Sequence, residues 1–268
     1  MRRPRKIGLA LGSGGARGFA HLGVLQRLAE WKVPIHCIAG TSMGAIMGAV
    51  AVSGAVEKVI RWAEALDWAE AASLFAEINI PKYGFFKGTR IDRTLAEFIP
   101  LRTYEESPIP FATVATDIRT GEEIVMKSGN LLSGVHASYS IPGVFIPVLH
   151  EGRQLVDGGL VNPLPISVCR DLGADAVIAV DINLRSRTVL AHAPGAGNLS
   201  ILDVMTNALK ILENEVTRST IASQAPDVLI QPAVGHVPTL QFTRAVKCIE
   251  FGRRAADEMR PVLEELMR

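Results

Sequence analysis

Cysteine is scarce, aromatics are few, charge of either sign barely predominates, and no long apolar run occurs in these 268 residues. Each shortage excludes something. Cys37, Cys169 and Cys248 lie far apart with no CxxC spacing. That excludes a disulfide framework and a cysteine zinc site, and it suits a reducing, cytoplasmic setting. No His/Asp/Glu cluster has ligand spacing, so no metal is expected. The longest apolar stretch, residues 45–56, is interrupted by Gly48, Ser53 and Gly54 and is well short of the ~20 residues of a membrane span. A formal net charge of +1 excludes nucleic-acid binding through bulk positive charge. With 48% hydrophobic and 21% charged residues, a disordered chain is excluded too. The basic start, Met1-Arg2-Arg3-Pro4-Arg5-Lys6, precedes too short an apolar run for a secretory signal and reads as a solvated tail. Contact of that tail with an anionic membrane surface, a peripheral attachment, is the alternative.

The length suits one domain, expected to span residues 1–268, with its core motifs in 7–181 and a helical and strand extension over 200–268. Short β-branched runs alternate with helical patterns, which predicts an α/β fold with a mainly parallel central sheet and helices on both faces. Strands are predicted at 7–11, 35–39, 111–117, 122–126, 144–149, 154–156, 176–180 and 228–231. Helices are predicted at 19–31, from 43, and at 56–66, 91–98 and 243–267, the last bent at Pro261, with a long one opened by Ser200. In the first helix Leu22, Leu25, Leu28 and Ala29 share a face. Residues 184–199 read as a long loop. Trp62, Trp68, Phe75, Tyr83, Phe85 and Phe86 gather in a weakly periodic segment, which reads either as a mobile cap or as a packed helical subdomain.

Glycine, by contrast, is abundant at 24 residues, and a third of it falls in three short motifs. Gly40-Thr41-Ser42-Met43-Gly44 fits G-x-S-x-G between a strand and a helix. Such a turn is sharp and strained, and it lifts the serine hydroxyl above the sheet edge. Gly12-Ser13-Gly14-Gly15-Ala16-Arg17-Gly18 also joins a strand to a helix, and its backbone N–H groups can approach an anion closely. That anion is either a cofactor pyrophosphate or the oxyanion of a tetrahedral intermediate. The third glycine is displaced from the dinucleotide fingerprint, and the second strand ends without an acid, so the oxyanion reading fits better and no cofactor is expected. Asp157-Gly158-Gly159 follows a short apolar strand. Alone it reads as a turn; beside the other two motifs it reads as a site acid.

Together these motifs resemble, in order and spacing, the patatin-like phospholipases, and in particular their small bacterial branch related to neuropathy target esterase. Ala115-Thr116-Asp117 and the stretch from Ala137-Ser138 through Pro142-Gly143 to Pro147-Val148 resemble that branch as well. The resemblance covers residues 7–181. It implies a lipid ester substrate and a two-residue site, with Ser42 as nucleophile and Asp157 as its base. The N–H groups of Gly14 and Gly15 would form the oxyanion hole, and Gly12, Arg17, Gly18, Gly40, Gly44, Gly158 and Gly159 would support the motifs. Ser13 departs from the family pattern, which usually has glycine there.

The implied reaction is attack of Ser42 on an ester carbonyl, with Asp157 taking its proton, protonating the leaving alcohol and activating water to release the fatty acid. Partial burial is expected to raise the weakly basic carboxylate. Asp181, at the end of an apolar strand, is the rival acid. Asp117 is expected to order its adjacent turn, Arg17 to hold the glycine loop by pairing with an acid, and His21 to be packed rather than catalytic. Acyl transfer to another alcohol would use the same residues. A dinucleotide-binding or regulatory protein without hydrolase activity is the contrasting reading. Head group, acyl length and oligomeric state are not legible.

Overall fold

The computed structural model describes residues 5–65, 87–183, 201–238 and 241–268. The apolar pentad β1 (Ile7–Leu11) is buried throughout and lies inside an eight-stranded sheet. On one side of it lie β2 (Ile35–Thr41) and β3 (Phe111–Asp117), on the other β7 (Ala176–Val180) and β8 (Val228–Ile230), all five parallel. Beyond β3, β6 (Arg153–Asp157) and then β5 (Val148–His150) pair antiparallel, and β4 (Glu123–Met126) forms a hairpin with β3. The chain thus leaves β1 in one direction and later returns on its other flank. In an open α/β sheet, that reversal of strand order opens a crevice at the carboxyl ends of the strands.

Alternation along the central strands feeds two apolar layers. Leu9, Leu11, Ile38, Phe111, Ile178 and Val180 face the larger one. It is filled from α1 (Phe19–Glu30), α2 (Met43–Val52), α3 (Val56–Ala65), α4 (Thr89–Phe98), α5 (Leu131–Tyr139) and, at the end of the chain, α8 (Ala245–Leu266). Ala10, Ala39, Ala112 and Ala179 face the other way, and these small side chains seat α6 (Ile166–Asp171) close to the sheet, with α7 (Ile201–Gln224) beside it. Helices therefore cover both faces of a mainly parallel sheet, as the alternating pattern predicts. No helix among the described residues is long and apolar enough to cross a membrane.

Several details differ from expectation. Residues 144–147 form no strand; Val144 and Phe145 donate backbone hydrogen bonds back to the Ile141 carbonyl in a turn that buries both side chains. Ala29 is exposed, because α1 buries nearly its whole first half and frees only its last residues. Helix α5 escapes the periodicity reading; it is short and starts at Asn130, whose side chain accepts from the Ser133 N–H at 2.8 Å. As expected, helix α8 includes Pro261 in its interior. Of the aromatic segment, Trp62 belongs to α3, while Trp68, Phe75, Tyr83, Phe85 and Phe86 lie outside the described residues, as does the loop 184–199 with Ser200.

Candidate active site

The three glycine motifs meet at the carboxyl ends of β1, β2 and β6. Ser42 sits between β2 and α2 with φ 56° and ψ −121°, a left-handed conformation a non-glycine residue adopts only under constraint. The constraint is visible on both sides. The Ser42 N–H donates to Ser138 Oγ at 2.9 Å, and its carbonyl accepts from the Ala45 and Ile46 N–H groups as the first turn of α2. Thr41 Oγ1 donates to the Asn162 carbonyl at 2.8 Å. Gly44 fits because its Cα passes against β1: a Cβ there would lie 2.0 Å from the Leu11 carbonyl oxygen. Gly40 packs against that same turn, beside the Gly44 carbonyl.

Asp157 ends β6, paired opposite Ala115 of β3. Its Oδ2 accepts the Ser42 Oγ–H at 2.5 Å, and its Oδ1 accepts the Gly159 N–H at 2.8 Å. Its own N–H donates to the Ser140 carbonyl, and its carbonyl accepts from Thr116 Oγ1. The residue is 3% exposed. Burial pushes the carboxyl up to about 6, against the opposing effect of the Ser42 and Gly159 hydrogen bonds. Asp157 is thus ionised at neutral pH yet far more basic than a free aspartate. Gly158 lies against the Val114 carbonyl.

The glycine turn faces this pair. Gly14 and Gly15 share a cavity with Ser42 and Asp157. Gly12 is tied to the neighbouring strand β7 through its N–H to Val180 O at 3.1 Å, and Ser13 to the segment before α6 through its N–H to Pro163 O at 2.8 Å. Gly18 packs beneath Met43, the residue after the nucleophile. Arg17 is buried and its Nε donates to the Val237 carbonyl at 2.8 Å, which fastens the turn to the segment before α8. His21 Nε2 faces the Gly12 carbonyl at 2.8 Å; burial pushes the ring down to about 4, so the neutral imidazole donates its N–H there. It is packed, as the sequence suggested, and it braces the turn.

The rival acid is elsewhere. The Asp181 carboxylate accepts from Gln231 Nε2 and from the Asn183 N–H, both at 2.9 Å, and it does not line the Ser42 cavity. Asp117 orders its hairpin by accepting from the Arg119 N–H and pairing with Arg153.

Two hollows open from Ser42. One is almost wholly apolar, with Met47, Val50, Trp62, Leu95, Phe98 and Phe242 among its walls. Trp62 packs 5.6 Å from Phe98 and 6.5 Å from Phe19, ring centre to ring centre. The other is polar at its base and brings in Asn183, Lys210 and Glu213. Sequence reasoning passed over Ser138 as a brace of the elbow, and it passed over Glu213 altogether. Ser138 lies in a stretch the resemblance had marked; Glu213 carries no local signal, being one carboxylate on a long amphipathic helix.

A family model described as patatin-like phospholipase matches residues 9–170. The chain belongs to the patatin-like phospholipase family. It is 28% identical over 327 residues to an uncharacterised NTE family protein of Mycobacterium tuberculosis, covering 94% of this chain and 91% of that one. It is 36% identical over 193 residues to patatin-like phospholipase domain-containing protein 7 of Rattus norvegicus, covering 69% of this chain and 14% of that one. Among solved structures, VipD of Legionella pneumophila shares the fold at a TM-score of 0.52 and 15% identity, over 98% of this chain and 67% of that chain.

Proposed function

We propose that this protein is a serine acyl hydrolase that cleaves carboxylic esters of lipids, phospholipid or lysophospholipid, through a Ser42–Asp157 dyad. The observation that carries the reading is the hydrogen bond from the Ser42 hydroxyl to Asp157 Oδ2 at a strained elbow. Family membership supports the reaction class.

Ser42 Oγ attacks the ester carbonyl and its proton passes to Asp157 Oδ2. The N–H groups of Gly14 and Gly15 and the amino end of α2 stabilise the oxyanion. The tetrahedral intermediate expels the alcohol, which in net takes up the proton held on Asp157 and so leaves that carboxylate ionised. Asp157 then draws a proton from water, which attacks the acyl-enzyme and frees the fatty acid. The apolar hollow takes the acyl chain, since each buried methylene contributes roughly 0.8 kcal/mol. We assign the whole chain to one domain, because the segment before α8 fastens the glycine turn through Arg17 and α7 walls the polar hollow.

A fluorophosphonate probe tests this reading. It should label the wild-type protein at Ser42, and Ser42→Ala should lose both labelling and esterase activity. Esterase activity in purified Ser42→Ala equal to wild type would overturn the assignment.

A further inference from the structure

Glu213 reaches the reaction site from outside all three motifs. It projects from α7 into the cavity that holds Ser42, Asp157, Gly14 and Gly15. A Cβ on Gly159 would lie 2.5 Å from Glu213 Oε1 and 3.1 Å from Asp157 Oδ1. Two carboxyl groups thus bracket a residue that has no side chain to separate them. Asp157 forms the floor, with Oδ2 engaged by Ser42 and Oδ1 by Gly159. Glu213 approaches from the helical wall, beside Leu209 and Lys210, on the polar side of Ser42 and away from the acyl hollow. With the acyl chain in the apolar hollow, the alcohol half of the ester falls on Glu213's side.

The groups around Glu213 are Asp157, Lys210 on its own helix, Arg17 in the glycine turn, and the Ser13 hydroxyl. Ser13 Oγ in turn accepts from Asn183 Nδ2 at 3.0 Å. The residue at which this chain departs from its family's glycine therefore stands beside Glu213. Burial, with the Asp157 charge adding to it, pushes the Glu213 carboxyl up to about 8. At neutral pH one carboxyl of the cavity is ionised and the other holds a proton, the division of states that separates a base from an acid.

We propose that Glu213 is the general acid of this site, giving its proton to the oxygen of the departing alcohol while Asp157 holds the proton taken from Ser42. The carbonyl–oxygen bond of the ester breaks, its electron pair stays on the alcohol oxygen, and that oxygen takes the Glu213 proton. The proton on Asp157 then crosses to the Glu213 carboxylate, so both groups are restored before water enters. The inference rests on the Ser42–Asp157 reading.

The test compares two esters of one acid, p-nitrophenyl butyrate and glyceryl monobutyrate. The nitrophenolate leaves without protonation; the glyceryl alkoxide does not. In Glu213→Gln, kcat/KM for the glyceryl ester should fall roughly 10²- to 10⁴-fold, the range for loss of a general acid. The ratio of glyceryl to aryl kcat/KM should fall at least about tenfold. Equal losses on both esters, or an unchanged ratio, would overturn the proposal. Wild-type protein gives the same test without a substitution: the ratio should fall as pH rises through about 8, and a constant ratio to pH 9.5 overturns it as well. Ser42→Ala, run beside them, isolates the underlying reading, because turnover in that variant would indict the nucleophile and not Glu213.

Discussion

Asp157→Asn should stop turnover and, at neutral pH, make the protein harder to unfold. The carboxyl is held at about 6 by burial, against an ordinary value of 3.8. A carboxyl whose pKa is raised by folding binds its proton more tightly in the folded chain than in the unfolded one. Below the ordinary value both states are protonated and nothing is lost. As pH rises from about 4 to about 6 the unfolded chain ionises first, so stability falls, and above about 6 the full penalty applies. Two units at roughly 1.4 kcal/mol each give about 3 kcal/mol. Asparagine keeps the shape: its amide oxygen can serve the Gly159 N–H while its NH2 faces Ser42 Oγ. It carries no charge and accepts no proton, so the general-base contribution of roughly 10²- to 10⁴-fold is removed. Urea unfolding of both proteins, at several pH values between 4 and 7.5, measures the effect, since the other titrating groups are common to the two chains and Glu213 is the one whose titration the Asp157 charge raises. The variant should gain about 3 kcal/mol on wild type between pH 4 and 7. Glu213 pushes in the same direction, because its raised carboxyl is partly the work of the Asp157 charge. A difference that stays flat across that range refutes the argument, as does a variant less stable than wild type at pH 7.

Two further substitutions probe the scaffold. Gly44→Ala would place a Cβ 2.0 Å from the Leu11 carbonyl, where backbone, not a yielding side chain, stands in the way; it should cost more than about 3 kcal/mol by urea unfolding and abolish fluorophosphonate labelling, and wild-type stability contradicts the elbow packing. Ile46→Trp fills the apolar hollow from a half-buried position; kcat/KM should fall for long-chain relative to short-chain p-nitrophenyl esters, by about fourfold per excluded methylene at roughly 0.8 kcal/mol each, and an unchanged chain-length profile would mean that the acyl chain lies elsewhere.

How much was legible follows from the range of the signals. The central strands announce themselves as apolar pentads because both faces are buried, and the elbow, glycine turn and D-G-G are local patterns whose residues touch their sequence neighbours. The convergence of the elbow and the glycine turn was readable because parallel strands deliver their ends to one edge; the D-G-G reaches that edge from the antiparallel β6, and its place there came from the resemblance. What was not readable acts across the chain. Ser138 binds the Ser42 N–H from α5, in a stretch the resemblance marked without giving it that role, and Glu213 enters the Asp157 cavity from α7 with nothing nearby to mark it. Gly159 shows the limit: its motif was visible, while the carboxylate its missing side chain admits was not. The apparent strand over 144–147 misled for a related reason, since its apolar residues are buried by a turn rather than by sheet pairing.

The missing histidine is the remaining question of mechanism. A serine nucleophile ordinarily leans on an imidazole with an unperturbed pKa of ~6.5. Among the described residues no histidine lines either hollow at Ser42, and His21, nearest in the turn, is held neutral against the Gly12 carbonyl. Enclosing Asp157 brings its carboxylate to about 6, close to an imidazole in proton affinity. On the proposed reading, burial therefore supplies the basicity that a ring nitrogen brings intrinsically, at about 3 kcal/mol of folding stability. The elbow conformation of Ser42 adds a strain of roughly 1–3 kcal/mol. Against a total stability of order 5–15 kcal/mol, both are large, and both are concentrated on the two atoms between which the proton moves. A second buried acid then becomes intelligible. Once a carboxylate is made basic enough to take the serine proton, it is a poorer donor to the leaving alcohol, and a neighbour that keeps its own proton at neutral pH relieves it of that task.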